Sequence, residues 1–206
     1  MTGSNNNGGK VRPDGLFRQN IALTSGLVTA PIIVAASSAE RAVVLVLSFF
    51  MITYVSILLC RFIPRKIMYS LRIMLYAAAA ALMFIPTVLL MRLWFPETTD
   101  GILIYIELTV VNSLLLAKTE SRFYLEPYGR MAADALFYIL GYAFAAFAVG
   151  FVREILAYGT LFGNHLCEPI IPAAKSPFFG FILLGIFAAI CRAAQFRRAP
   201  GKERSV

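Results

Sequence analysis

The chain has 206 residues, of which 59% are hydrophobic, and its mean hydropathy is +0.75. Soluble domains contain roughly 45–50% apolar residues, so this composition excludes an ordinary soluble domain and indicates an integral membrane protein. The formal net charge of +8 does not indicate nucleic-acid binding, because no basic motif is interleaved with aromatic residues.

Six apolar stretches follow one another along the chain, and each is a candidate transmembrane helix. They cover residues 21–36, 43–60, 73–93, 102–117, 131–152 and 178–194. Crossing ~30 Å of hydrocarbon takes about 20 helical residues, whereas the first and fourth stretches supply only ~24 Å. Short segments at matching positions in two halves are typical of inverted-repeat membrane proteins. The sequence therefore predicts an all-α integral membrane fold, with six transmembrane helices in two inverted three-helix repeats and short or broken helices 1 and 4.

The two ends of the chain differ from its middle. Residues 1–14 are polar and rich in Gly and Asn, which predicts a disordered cytoplasmic N-terminus without a cleavable signal. Residues 15–195 form the predicted membrane domain, and residues 196–206 form a basic cytoplasmic tail. Most of the 19 Lys and Arg residues lie at the termini and in the second and fourth loops. By the positive-inside rule, both termini are expected in the cytoplasm.

Cysteine and histidine give no metal or catalytic motif. Cys60, Cys167 and Cys191 share no CxxC spacing, so no disulfide framework follows from them. His165 lies near Cys167, but one His and one Cys do not complete a zinc site, which needs about four ligands. We therefore expect no catalytic residue in this chain and no metal bound by it alone. Whether it belongs to an enzyme complex stays open at this point.

Polar residues inside the apolar stretches are functional candidates, because an unpaired charge in hydrocarbon costs at least ~2.5 kcal/mol. Glu107 and Asn112 lie on the fourth stretch, ~7.5 Å apart along a helix and ~140° around it. One of them could line an ion or polar path while the other packs against a neighbouring helix. The alternative is that Glu107 lies near the outer interface, where water and a neighbouring Thr or Asn satisfy it.

The fifth stretch carries charged residues at its ends and small residues between them. Asp134 is expected to open this helix, where a carboxylate favours the positive end of the helix dipole. Arg153 and Glu154 are expected to close it on the outer face, as a local ion pair or a cap to the following loop, contributing under ~1 kcal/mol. Small residues that allow close helix packing, either within the chain or with a partner subunit, are Gly141, Ala145, Ala146 and Gly150.

Three segments give the chain a resemblance to a known family. They read GLFRQNIALTSGLVTAPIIVA, GYAFAAFAVGFVREILAYGTLFG and SPFFGFILLGIF. Together they resemble the RnfE and NqrD subunits of the Rnf and Nqr electron-transport complexes, from residue 15 to about residue 193. The resemblance is sharpest at residues 153–155 and 159–163, and Asp134, Arg153 and Glu154 match polar positions of the family pattern.

The resemblance implies both an architecture and a function. Members of this family have six helices in two inverted halves, which agrees with the segment lengths above. They work as paired subunits of complexes that couple ferredoxin, NADH or quinone redox chemistry to Na⁺ or H⁺ movement. The implied location is the bacterial or archaeal cytoplasmic (inner) membrane. The implied partners are the lipid bilayer and other membrane subunits, especially an RnfA/NqrE-like one.

The chain departs from the family at the positions that bind its cofactor. In the family, one Cys before the Pro of helix 1 and one after the Asn of helix 4 hold a [2Fe–2S] cluster together with two cysteines of the partner. Here Ala30 precedes Pro31, and Ser113 follows Asn112. Alanine has no donor atom, and a neutral serine hydroxyl substitutes poorly for a thiolate. We therefore expect no cofactor bound by this chain alone; the alternative is a [2Fe–2S] cluster shared with a partner subunit.

Three functions are compatible with these observations. The first is a membrane subunit of an Rnf/Nqr-like electron-transport complex that couples redox chemistry to Na⁺ or H⁺ translocation and has lost its own iron–sulfur ligands. The second is a repurposed inverted-repeat protein that transports a small solute or ion. The third is a scaffold or assembly factor. The extent of the resemblance favours the first.

Overall fold

The computed structural model describes residues 29–64, 66–110, 112, 119–121, 127–162, 164–165 and 168–198. In this part of the chain, the longer helices are α1 (Thr29–Ala35), α2 (Ala39–Cys60), α3 (Tyr69–Trp94), α4 (Pro96–Leu108), α5 (Tyr128–Tyr158) and α6 (Pro177–Arg198). The shorter elements are a helical turn (Thr119–Ser121), a hairpin of β1 (Thr160–Leu161) and β2 (Asn164–His165), and a 3-10 turn (Pro172–Lys175). The two strands pair antiparallel.

Three of the described helices are long and apolar enough to cross a membrane, judged by length and composition. They are α2, α3 and α5, with 22, 26 and 31 residues. They correspond to the predicted stretches 43–60, 73–93 and 131–152. The apolar part of α6 is shorter, from Pro177 to Ala193. The prediction of a helical membrane protein is therefore confirmed.

A tight turn at residues 36–38 joins α1 to α2. Ser38 is the N-cap of α2: its backbone is extended, and its hydroxyl accepts a hydrogen bond from the N–H of Arg41 at 3.3 Å. On the other side of the turn, the N–H of Ala36 still donates to the carbonyl of Ile32 at 3.2 Å. The chain thus leaves one helix and enters the next within three residues.

The central helix of the fold is α2, which packs against α3 and α5 and also contacts α1 and α4. In its contact with α5, the rings of Phe49 and Tyr142 stack with their centroids 3.9 Å apart. In contrast, α3 exposes large apolar side chains such as Leu82, Ile85 and Leu89. Such a face is covered by lipid or by another subunit in a membrane protein.

The small residues of α5 serve packing within the chain. Gly141, Ala145, Ala146 and Gly150 are all buried. A Cβ atom on Gly150 would lie only 2.8 Å from the Cβ of Ala42 on α2. The sequence left open whether these residues pack within the chain or against a partner subunit, and the described contacts show packing within the chain.

Both ends of α5 lie beyond the predicted limits, which corrects the predicted place of three residues. The helix begins at Tyr128, so Asp134 lies in its second turn, ~9 Å along the axis from the first residue, and does not open it. It ends at Tyr158, where Gly159 adopts a left-handed backbone with φ 67°. Arg153 and Glu154 therefore lie inside the helix. A hydropathy pattern places the end of a helix where the apolar run ends, whereas the backbone hydrogen bonds of α5 continue through the charged residues that follow.

The fourth stretch is also displaced from its predicted limits. Helix α4 starts at Pro96, six residues before the predicted start, because a proline at the first helical position needs no N–H partner. It ends at Leu108, where Thr109 caps it. Residues 111 and 113–117 of the predicted stretch lie outside the described residues.

Candidate functional site

Arg153 connects separate segments at one end of the molecule. We call this the hairpin end, because it carries the β1–β2 hairpin beside the α1–α2 turn and the start of α6. Arg153 is 1% exposed, and its guanidinium donates hydrogen bonds to five backbone carbonyls. The acceptors are Ile33 (2.8 Å), Ala36 (3.1 Å), Ala174 (3.2 Å), Lys175 (3.0 Å) and Ser176 (3.3 Å). A guanidinium has five N–H donors in a fixed fork, so it binds several segments at once.

Glu154, the next residue of α5, binds the start of α2. Its Oε2 accepts a hydrogen bond from the backbone N–H of Ala39 at 2.6 Å. Its Oε1 accepts one from the hydroxyl of Thr160 at 3.4 Å. The first N–H groups of a helix have no partner within it. A carboxylate at this position satisfies one of them and favours the positive end of the helix dipole.

The two charges match the helix ends that they bind. The guanidinium lies at the carbonyl end of α1, which carries partial negative charge, and the carboxylate lies at the N–H end of α2, which carries partial positive charge. Two adjacent residues of α5 thus hold the chain on both sides of the α1–α2 turn. We call Arg153 and Glu154 the clasp.

The clasp corrects the predicted exposed ion pair. Glu154 is only 4% exposed, and the pair reaches backbone groups 115 to 120 residues away. The predicted cap on the following loop is present in addition, through Ala174 and Thr160. The value of under ~1 kcal/mol holds for exposed pairs. Removing a buried charge costs more, because its former partners are left unsatisfied.

A cleft of about 470 Å³ lies at the hairpin end, next to the clasp. Its lining includes three carboxylates, one guanidinium and several hydroxyl groups, among them Glu40, Glu97, Glu154, Arg41, Ser37, Ser38 and Thr160. The hydroxyl of Thr98 donates to the carboxylate of Glu40 at 2.5 Å. The cleft is therefore polar, and Glu154 belongs both to its wall and to the clasp.

The two predicted ion-path residues, Glu107 and Asn112, differ in burial. Asn112 is 3% exposed, and its Nδ2 donates to the hydroxyl of Thr53 at 3.0 Å and to the carbonyl of Thr109 at 2.6 Å. Glu107 is exposed on α4. Asn112 thus packs inside against α2, whereas Glu107 lies on the surface. Because α4 ends at Leu108, Asn112 lies beyond the helix that carries Glu107, which corrects the prediction that one helix carries both residues. That either residue lines an ion path stays a prediction.

Asp134 belongs neither to the clasp nor to the predicted ion-path residues. It is buried in the second turn of α5, ~28 Å along the helix axis from Arg153. The candidates chosen from the sequence therefore lie at separate places along the molecule. Among the predicted site residues that the structure describes, only Arg153 and Glu154 lie together.

The positions that match the family's cluster ligands are described in part. Ala30 is exposed on α1, whereas the adjacent Pro31 is buried. Ser113 and Cys167 lie outside the described residues. Cys60 is buried at the end of α2, and Cys191 is half-buried on α6. Within the described ranges, no group of three or more His, Cys, Asp or Glu side chains could hold a metal ion.

The sequence reasoning missed a charged cluster at the opposite end of the molecule. Arg72, near the start of α3, forms an ion pair with Glu120 in the Thr119–Ser121 turn. The hydroxyl of Tyr76 donates to the same carboxylate at 3.1 Å. The side chains of Arg72 and Glu120 are 11% and 23% exposed. Both residues flank apolar stretches, but nothing in the sequence indicates that residues 48 positions apart are paired.

The fold and these clusters define a class of protein. It is a multi-pass helical membrane protein in which buried charged side chains join separate segments at each end. The sequence profile described as "Rnf-Nqr subunit, membrane protein" matches residues 10–188. The chain belongs to the Rnf-Nqr family.

Curated relatives have names that agree with this membership. The chain is 29% identical to the E subunit of the ion-translocating oxidoreductase complex of Paramagnetospirillum magneticum, over 76% of this chain and 70% of the relative. It is 26% identical to the E subunit of the Na⁺-translocating ferredoxin:NAD⁺ oxidoreductase complex of Acetobacterium woodii, over 85% and 91%. It is 27% identical to an E subunit of the ion-translocating oxidoreductase complex of Yersinia pseudotuberculosis, over 87% and 84%.

Proposed function

We propose that this chain is an RnfE/NqrD-type membrane subunit of an electron-transport complex that couples redox chemistry to Na⁺ or H⁺ translocation. The observation that carries the proposal is the family match over residues 10–188. The names of relatives that align over most of their own length support it. The proposed role is non-catalytic: the chain forms a packed membrane scaffold beside redox-active partners.

The proposed topology has six spans in two inverted halves, with residues 15–195 as the membrane domain and both termini in the cytoplasm. The hairpin end then faces the outside of a bacterial or archaeal inner membrane. The charge distribution supports this orientation, because the predicted outer loops hold few basic residues: Arg41, Arg92, Arg153 and Lys175. Of these four residues, Arg153 also donates its guanidinium hydrogen bonds to backbone carbonyls within the chain.

The residues of this chain do not fit the family's [2Fe–2S] cluster. Ala30 has no donor atom, and the described cysteines Cys60 and Cys191 lie on α2 and α6. On α1, Ala30 itself is exposed, as a position shared with a neighbouring subunit would be. We propose that an RnfA/NqrE-like partner covers this side, and that either it supplies every cluster ligand or electrons take another route.

Anaerobic affinity purification from the native membrane in mild detergent tests this function. Mass spectrometry of the co-purifying chains, together with the iron and acid-labile sulfide content, gives the readout. We expect flavin- and ferredoxin-like subunits and an RnfA/NqrE-like chain to co-purify. Isolation of the chain alone, without redox subunits, would contradict the proposal and would favour a solute transporter or an assembly factor.

A pair of variants tests the cluster position within the same complex. Ala30→Cys combined with Ser113→Cys restores the two thiol ligands of the family, and Ala30→Ser combined with unchanged Ser113 is the matched control. If the complex has the family arrangement, the cysteine variant should raise its iron content, by up to about two irons per complex for a [2Fe–2S] centre. Equal iron at about two per complex would mean that the partner already supplies every cluster ligand, whereas equally low iron would argue against a partner at this side of α1.

A further inference from the structure

We propose that the clasp of Arg153 and Glu154 is a conformational device that closes the hairpin end, with the α1–α2 turn as its moving part. When the turn is held, the cleft ends at Glu154. When the turn is released, the cleft extends inward past Arg153. This inference concerns the isolated chain and does not depend on the proposed function.

The hydrogen bonds of the clasp divide into two sets. Bonds to nearby parts of the chain involve Thr160 and the carbonyls of residues 174–176, at most 23 positions away. Bonds to the α1–α2 region involve Ile33, Ala36 and Ala39, at least 115 positions away. A movement of the turn breaks only the second set. Arg153 then keeps three carbonyl partners, so its charge stays partly satisfied in the open state.

Because the clasp lies beside the cleft, its opening would change which residues line the cleft. Glu154 lines the cleft together with Ser37, Ser38 and Thr160. Arg153 does not line it and lies next to Glu154 on α5. Both residues of the clasp are almost fully buried. The α1–α2 turn therefore separates the cleft from the buried guanidinium, and withdrawal of the turn would expose Arg153 to the cleft.

The bonds across the moving side all end on backbone atoms of the turn region. They are accepted by the carbonyls of Ile33 and Ala36 and donated by the N–H of Ala39. The hydroxyls of Ser37 and Ser38 accept hydrogen bonds from Arg41 in the first turn of α2, so this first turn moves together with residues 36–38. A rigid movement of residues 33–41 breaks the three bonds together, which gives two discrete arrangements.

A cysteine reporter in the turn tests the proposal in the detergent-purified full chain. Ser37, which is 7% exposed and accepts a hydrogen bond from Nη1 of Arg41 at 2.9 Å, is replaced by cysteine in every sample compared, so that loss of this bond is common to all of them. Its reaction with a polar maleimide is followed by peptide mass spectrometry. Native Cys60, buried at the other end of α2, reports global unfolding in the same sample. We compare the intact clasp with Arg153→Lys and Glu154→Gln. The control is Arg92→Lys, in an exposed ion pair with Asp100.

The expected result is selective. Arg153→Lys should raise the labelling rate of the Ser37→Cys reporter by roughly tenfold or more, because lysine cannot reproduce the forked bonds to the turn. Labelling of Cys60 should stay unchanged. Glu154→Gln should act in the same direction more weakly, and Arg92→Lys should have no effect. Unchanged labelling of the reporter, or equal acceleration at both cysteines, would overturn the proposal.

Hydrogen exchange of the unsubstituted chain gives a second test, which does not depend on whether a substituted variant folds. The hydrogen-bonded amides of Ala36 and Ala39 should exchange through a local opening, faster than those in the middle of α2. Exchange of both segments at one common rate would mean that the turn opens only with global unfolding, and the clasp would then be a static contact.

Discussion

Single side chains of α5 determine how the hairpin end is built. Arg153 and Glu154 are charged, nearly fully buried and hydrogen-bonded to backbone groups of distant segments. Burying a charge in this way is unfavourable unless every donor and acceptor finds a partner. The neighbouring helix ends supply these partners, because their last carbonyls and first N–H groups are unsatisfied within the helices.

Replacing Glu154 by alanine should destabilise the protein through loss of this cap. The Ala39 N–H loses its acceptor at 2.6 Å, and we expect a decrease of about 1–2 kcal/mol in the free energy of unfolding. The measurement is thermal unfolding in detergent. Glu97→Ala removes an exposed carboxylate from the same cleft and should change stability by less than ~0.5 kcal/mol. Equal effects of the two substitutions would contradict the assigned role.

Between elements, close backbone approach sets the geometry around the clasp. A Cβ on Gly180 of α6 would lie 2.5 Å from the carbonyl oxygen of Ile33 and 3.4 Å from Nη1 of Arg153. A Cβ on Gly150 of α5 would lie 3.1 Å from the carbonyl oxygen of Ser38. Helices α5 and α6 therefore contact the ends of α1 and α2 closely enough to need glycine at these positions.

Gly180→Ala should be destabilising, whereas Gly185→Ala on the same helix should not be. The first substitution forces α6 away from the Ile33 carbonyl, and we expect a loss of about 1–3 kcal/mol. A Cβ at Gly185 meets nothing within 4 Å, so alanine there should be neutral or stabilising by up to ~1 kcal/mol. Thermal unfolding midpoints in detergent compare the two. A tolerated Gly180→Ala would show that α6 does not approach α1 this closely.

The ion pair at the opposite end joins α3 to the turn before α5. Glu120→Gln keeps the shape of the side chain but removes the charge that faces Arg72. We expect a loss of about 1.5–3 kcal/mol, because both side chains are largely buried. Asp100→Asn changes the exposed pair with Arg92, whose side chains are 47% and 62% exposed, and should cost at most ~1 kcal/mol. If the two variants unfold at the same temperature, the buried pair does not join these elements.

For the whole molecule, the apolar surface needs a cover that the described part of the chain does not supply. The exposed side chains of α3 and α4 include Leu82, Ile85, Leu89, Ile104 and Leu108. Glu107 is exposed among the apolar residues of α4. A carboxylate in hydrocarbon is costly, so it favours a polar neighbour at this surface over lipid.

In the assembled complex, Glu107→Gln should lower ion transport without preventing assembly. Asp100→Asn is the matched control, because residues 100 and 107 are seven positions apart and share one face of α4. Na⁺ or H⁺ uptake into proteoliposomes measures transport, and co-purification measures assembly. Unchanged transport in Glu107→Gln would remove this carboxylate from the translocation mechanism.

Much of the fold follows from local sequence properties. The lengths and composition of α2, α3 and α5 are sufficient for their approximate place, since apolar runs of this length are stable as membrane helices. The ends were placed less well, because Pro96 and Gly159 determine them by backbone conformation and not by hydropathy. The resemblance to RnfE and NqrD was also readable from sequence alone, and the family match confirms it.

By itself the sequence determined that the chain is a helical membrane protein of the Rnf-Nqr family, because hydropathy and motif identity are properties of consecutive residues. Only the tertiary structure decided what the charged residues bind. Arg153 and Glu154 bind backbone groups 115 to 120 residues away, and backbone carbonyls and N–H groups are the same in every residue type. No sequence pattern marks such partners, so the clasp became visible only when the helix ends were brought together.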